Sequence, residues 1–313
     1  MLSTSSGSWA PKDLILDNYG KMRINDMTAI ARPIDLNYPT NRAIAALAIV
    51  VIVGGTIFRL LAGVEWIQSA LWGIAAGFAV FLAWALGREL DPDHDLSAFV
   101  AAGFALIGLL AFNPPNLSLL FWVLVLVRIV NHTAGLSARI PDSLLMLGLG
   151  SWLALQGNWI YGLMTALAFF LDSQLSSPQR RHLLFAGIAL LATVVLFNFN
   201  GSVLGEGKLS LPALLAVSAM SVLFVPVMMA SRQLRTVSDQ TSEPLNPRRV
   251  QAAQVIALLT GIQIALWDGD SGVASLVPLW AAMLGASLYR LFVVIYGSIR
   301  RDPAWREETP PGE

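Results

Sequence analysis

Long apolar runs with few charges recur between residues 43 and 296, separated by short polar segments. None alternates with a period of two. Backbone groups in lipid must be satisfied within the segment or a closed barrel, so this pattern predicts α-helices and not barrel strands. Ten segments emerge, at about 43–63, 65–87, 97–113, 116–132, 141–156, 158–173, 182–198, 211–230, 251–267 and 273–296. Each is near the roughly 20 residues that cross a hydrocarbon core of about 30 Å. The third to sixth are shorter and would span only about 24 to 26 Å at about 1.5 Å per residue, which suits a place inside a bundle or a locally thinned bilayer. The predicted fold class is all-α: a polytopic transmembrane helical bundle of about ten helices.

Polar segments divide the chain. Residues 1–42 read as a cytoplasmic tail without a signal-peptide pattern, and translation could begin at Met1 or Met27. Residues 43–230 form an eight-helix block, and 231–250, rich in Ser, Thr, Asp, Pro and Arg, a flexible linker. A hairpin over 251–296 and a polar tail over 297–313 complete the chain. The turns after the second, fourth and sixth helices each concentrate polar residues, about 40 residues apart, as duplication or simple hairpin winding would give.

Composition agrees with the pattern. The chain is 56% hydrophobic and only 13% charged, with a mean hydropathy of +0.64, outside the usual range of soluble domains. Twenty basic and twenty acidic residues cancel, so no net charge points to nucleic acid. Cysteine is absent, which excludes disulfides, iron–sulfur clusters and thiol catalysis. If the N-terminus is inside, 17 basic residues fall on the cytoplasmic side, two (Arg59, Lys208) outside and Arg290 within the last helix. Such asymmetry predicts both termini inside. Trp66, Trp159 and Trp267 then fall at the outer interface. The implied location is the cytoplasmic (inner) membrane of a bacterium, with the bilayer itself as the first partner. Asn200-Gly201-Ser202 fits a glycosylation acceptor, relevant only in a eukaryotic secretory host.

The densest polar stretch runs from Arg88 and Glu89 through Asp91, Asp93, His94 and Asp95. Alternating carboxylates in a Pro92-stiffened turn can gather on a hard divalent cation, so Asp91, Asp93 and Asp95 are the candidate metal ligands and magnesium the candidate cofactor. The competing reading makes Asp95 a helix N-cap. A second concentration holds Arg128, Asn131, His132, Arg139 and Asp142. Arg128 and His132, four apart, share a helix face, and the two guanidinium groups suit a phosphate or carboxylate. The alternative is that Arg128 only anchors its helix at the interface. Asp172, at the inner end of the sixth helix, and Arg290, inside the tenth, are ionisable groups near the bilayer and possible partners. Gln254, Thr260 and Gln263 place uncharged polar side chains at mid-depth, as interhelical hydrogen bonds or as a substrate-contact face, and with Arg290 they are the substrate-path candidates.

An Asp-rich loop after the second helix is also where membrane-embedded aromatic polyprenyl transferases carry their first diphosphate motif. Their second motif, after the sixth helix, has no counterpart in Leu171-Asp172-Ser173-Gln174, so the resemblance stops at position. Ten helices with both ends inside look like the plan of drug/metabolite exporters, a likeness of architecture alone. Three functions follow. The lead is a small-molecule transporter or permease. Second is a magnesium-dependent enzyme acting on a lipid-linked phosphate or diphosphate at the cytoplasmic face. Third is a non-catalytic assembly protein whose cytoplasmic loops hold a protein partner.

Overall fold

A computed structural model describes residues 28–30, 35–112, 115–156, 158–200 and 207–299. The tail before residue 28, the proposed start at Met27, the Asn200-Gly201-Ser202 sequon beyond Asn200, and the residues from 300 onward lie outside them.

The described chain is helical, with only an isolated bridge between Val237 and Pro244. Ten long helices follow in order: α1 Pro39–Leu61, α2 Trp66–Leu90, α3 Asp95–Ala111, α4 Leu117–Asn131, α5 Ile140–Leu155, α6 Ile160–Gln174, α7 Arg181–Asn200, α8 Leu211–Ala230, α9 Pro247–Asp268 and, after the short α10 Asp270–Ser275, α11 Val277–Ile299. Among the described residues six are long and apolar enough to cross a membrane: α1, α2, α7, α8, α9 and α11. The helices α3 to α6 have 17, 15, 16 and 15 residues, about 22 to 26 Å at about 1.5 Å per residue.

Local chemistry sets the ends. Proline occupies the first turn of α1, α5, α8 and α9, where its missing N–H costs nothing. Asn116, Ser210 and Asn246 cap α4, α8 and α9 with side-chain oxygens. The helix α2 runs on through Arg88, Glu89 and Leu90, past the expected end at 87, and places Glu89 inside the bundle. The last expected segment, 273–296, is broken instead into α10 and α11.

Burial decides the layering. Most of α4 is buried, including Trp122, Leu120, Leu126 and Ile129, so it is the central post, packed against α2, α6 and α9. By contrast α1, α7 and α8 bury under a fifth of their most apolar windows and present Leu and Val outward. The helices α3 and α11 pack closely through Ala98, Ala101, Ala102 and Gly285; a Cβ on Gly285 would stand 2.6 Å from the Ala101 nitrogen. Small residues permit that approach where lipid offers no competing drive. The C-terminal helices are therefore not an appendage: α11 lies on α3 and α9 on α4.

The two ends differ. One gathers the turns α2–α3, α4–α5 and α6–α7 with the α8–α9 loop, and carries Arg88, Arg139, Arg181 and Arg249. The other carries Trp159 and Trp267, whose rings meet edge to face at 5.5 Å. The loop from Ser231 to Asn246 is fixed in place. Asp239 and Gln240 donate their N–H groups to the Thr133 and Ala134 carbonyls, and Arg235 and Thr236 donate to Asp93.

Candidate functional site

The arginine-rich end is organised on Asp172, whose side chain is fully buried in the last turn of α6. Its Oδ1 accepts from Arg249 Nη1 at 2.8 Å. Its Oδ2 lies 2.5 Å from His182 Nδ1, on α7. His132 Nε2 approaches Oδ1 to 2.7 Å, off the line of a good hydrogen bond. A buried carboxylate is tolerated only when so partnered. Arg249 does more than neutralise it: Nε donates to the Ser176 carbonyl, Nη1 also to that of Val130, and Nη2 to those of Asp172 and Ser177. One guanidinium thus binds the orphan carbonyls at the ends of α4 and α6 to the first turn of α9.

Behind His182, its Nε2 lies 2.8 Å from Ser143 Oγ. Ser143, His182 and Asp172 follow the order of an acyl-transfer triad. The Ser143 hydroxyl also lies 3.0 Å from the Arg139 carbonyl, to which it donates. Its single proton is directed away from His182, and the residue is fully buried on α5. The chain ties α5, α7 and α6 together and lacks the exposed nucleophile that acyl transfer requires.

In front of His132 and Arg249 lies a polar cavity of about 210 Å³, walled by the α4–α5 turn, the segment after α6 and the α8–α9 loop. Among the described residues, the non-glycine positions with positive φ are His132 at 55°, Ser177 at 56° and Ser242 at 57°. Two of them line this cavity and the third sits in the loop that covers it. Gly135, at φ 91°, approaches that loop so closely that a Cβ would stand 2.6 Å from the Ser238 and Thr241 hydroxyl oxygens. Strained backbone concentrated at one cleft is a pointer to function.

The loop is held from the α2–α3 turn. Burial works against ionisation of Asp93, but hydrogen bonds from the Thr236 hydroxyl and the Arg235 and Thr236 amides hold its carboxyl below the ordinary carboxylate value. His94 is raised, first by its 2.9 Å contact with Asp91. Its ring also packs on Tyr289.

The candidate metal ligands diverge. Asp91 faces His94, Asp93 the loop, and Asp95 is paired with Arg88; among the described residues no three of His, Cys, Asp and Glu gather as a metal would need. Hydrogen bonding to the loop separates carboxylates that alternate in sequence. Of the two candidate phosphate-binding arginines, Arg128 is engaged with Glu89 and with the Ile30 carbonyl. Arg128 Nε donates to Glu89 at 2.8 Å, and fully buried Glu89 further accepts from Asn131 Nδ2 at 2.8 Å and from Thr133. Arg139 donates its backbone N–H to Asp142 at 2.8 Å, while Asp142 also accepts from the Thr28 hydroxyl and the Ala29 amide. Asp142 is thus the dock of the N-terminal segment.

Asp172 meets Arg249 and not Arg290, which acts electrostatically on His94. The substrate-path candidates line no part of the polar cavity. Gln254 Nε2 bridges the Leu90 carbonyl and Ser231 Oγ, each at 2.7 Å. Thr260 bonds back to the Ile256 carbonyl, and Gln263 keeps a buried Oε1 without a hydrogen-bond partner among the described residues. Sequence reasoning left Arg249, His182 and Ser143 out of its candidate set. The adjacent pair Arg248-Arg249 after the cap Asn246 was a usable signal, because a basic residue in the first turn of a helix opposes the dipole and needs another reason to be there.

These features define an all-helical protein with, among the described residues, six helices of membrane-spanning length and apolarity and a polar, partly strained cavity at the arginine-rich end. Comparison with protein-family models, with curated proteins and with solved structures finds no match to this chain.

Proposed function

We propose that the protein is a multi-pass small-molecule transporter of a bacterial cytoplasmic membrane, with both termini and the arginine-rich end inside. The orientation rests on the distribution of basic residues. The observation that carries the reading is the polar cavity at the head of a membrane-type bundle, backed by the buried Asp172–Arg249–His132 cluster. Ionisable groups placed in such a bundle mark solute or proton paths more often than scaffolding.

The position of the second cavity favours this over an enzyme for lipid-linked phosphates. That apolar groove, about 300 Å³, lies between α3, α8 and α11 and includes Phe112, Val273 and Val277, toward the tryptophan-bearing end. A helix of 17 residues separates the ends by about 25 Å, so the two cavities do not form one amphiphile site. Among the described residues the three aspartates diverge and Arg128 is committed to Glu89, which weighs against head-group chemistry at these residues.

The test is uptake into proteoliposomes of radiolabelled sugars, polyols, amino acids and organic acids, with wild type beside His132→Ala. Saturable uptake of one class, lost in the variant, supports transport. Uptake no greater than in protein-free liposomes for every class sinks it.

A further inference from the structure

The chemistry of the polar cavity narrows what it can take, and this step rests on the transporter reading. A volume of about 210 Å³ is below the roughly 300 Å³ where drug-sized sites begin. The occupant is small.

Its charge follows from which lining groups are already engaged. Arg249 is the buried cation of the floor, and its N–H groups are directed to the carbonyls of Ser176, Val130, Asp172 and Ser177 and to the Asp172 carboxylate. Those are all five donors a guanidinium owns. An anion would have to displace Asp172 or open the end of α6, and would pass Glu243, the exposed carboxylate of the rim. An amine attracted by Glu243 would meet the Arg249 charge behind it. Both signs are opposed.

Neutral hydrogen-bonding groups remain. The hydroxyls of Ser137, Ser176 and Ser177 make no hydrogen bond among the described residues, and Asn246 uses its Oδ1 to cap α9 while its amide nitrogen stays open. Hydroxyls both donate and accept, a carboxamide NH₂ donates, and the Glu243 carboxylate can accept from adjacent hydroxyls of one molecule. The geometry points to a small, uncharged, hydroxyl-rich solute, a polyol or simple sugar, as the ligand of this cavity.

Calorimetric titration of the full chain in nanodiscs tests this, with erythritol, myo-inositol and glucose as neutral probes and inorganic phosphate and ethanolamine as charged ones. Ser176→Trp fills the cavity without removing a side-chain bond, and Ser137→Trp does so from the α4–α5 turn. The expected result is saturable binding of a neutral probe, weakened more than about tenfold in either variant while the unfolding midpoint holds. Binding of phosphate or ethanolamine instead, lost in the variants, would overturn the ligand class. So would no binding by any neutral probe, or neutral binding indifferent to both variants. Neutral binding lost in the variants, without uptake of that probe into proteoliposomes, would uphold this inference and overturn the transporter reading alone.

Discussion

Arg249 is joined to Asp172 twice, through the carboxylate at 2.8 Å and through the main-chain carbonyl at 3.4 Å. One side chain therefore neutralises the acid and holds the helix end that carries it. Removing the arginine leaves a buried carboxylate with only two imidazoles beside it. Arg249→Met is expected to cost about 3–5 kcal/mol in detergent unfolding, and the double variant Arg249→Met/Asp172→Leu less than that, because no charge is then stranded. A double variant as unstable as the sum of its singles would contradict the coupling.

Asp142 gathers three donors, from Thr28, Ala29 and Arg139, on one carboxylate. In Asp142→Asn an NH₂ group replaces one acceptor and faces those donors. Local opening at Ala29 and Arg139 becomes easier by about 1–3 kcal/mol, read as faster amide hydrogen exchange there with α4 unchanged. Unaltered exchange at Ala29 would show that the N-terminal segment is held by something else.

The latch between the α2–α3 turn and the α8–α9 loop has a pH window. Asp93 is depressed from its ordinary 3.8, so its contribution is present above that value and is lost as pH falls through the lower folded value. His94 is raised from its ordinary 6.5, so its pairing with Asp91 contributes fully below that value and fades as pH rises through the higher folded one. Protection of the Arg235 and Thr236 amides should accordingly be best between the two. Asp93→Asn should remove the acid-side dependence and His94→Gln the alkaline-side dependence; identical profiles in all three proteins would refute the assignment.

Magnesium and manganese are expected to leave the unfolding midpoint unchanged. The carboxylates of Asp91, Asp93 and Asp95 face a histidine, a loop and an arginine. Asp93→Asn should lower the midpoint equally with and without metal. A metal-dependent rise that Asp91→Asn/Asp93→Asn abolishes would require the three to converge in solution.

At the α3–α11 crossing, a methyl on Gly285 meets the Ala101 nitrogen at 2.6 Å and the Ser97 carbonyl oxygen at 2.8 Å. Both are backbone atoms, which do not swing aside. Gly285→Ala should destabilise by about 1–3 kcal/mol. Gly148→Ala, with open space around the new methyl, serves as control, and equal midpoints for the two would remove the packing argument.

Hydropathy made the all-helical character legible, since apolar length is written locally in the chain. It was less able to say where helices end. Within the extension of α2 through Leu90, Glu89 is partnered by Arg128 and Asn131, three residues apart on α4. The polar residues of the arginine-rich end were also visible as types, and Asp172 stood out as an acid beside the bilayer. Its partners were not, because Arg249 reaches it from α9 and His132 from the turn after α4, and nothing in local spacing encodes such a meeting. The loop of 231–250 read as a linker from its composition, yet Asp93 and Thr133 hold it from two sides. Serine, threonine and aspartate serve equally in solvated chain and in a bonded turn.

The separation of 77 positions from Asp172 to Arg249 also sets an order of assembly. During synthesis the acid leaves the ribosome long before the base, and at about 5–20 residues per second several seconds pass before its permanent partner exists. Through that interval, of the partners Asp172 meets in the finished fold, only the two imidazoles have been made. Insertion of α9 is then the event that locks the bundle, and a chain truncated before it should be recognised by quality control as unfinished.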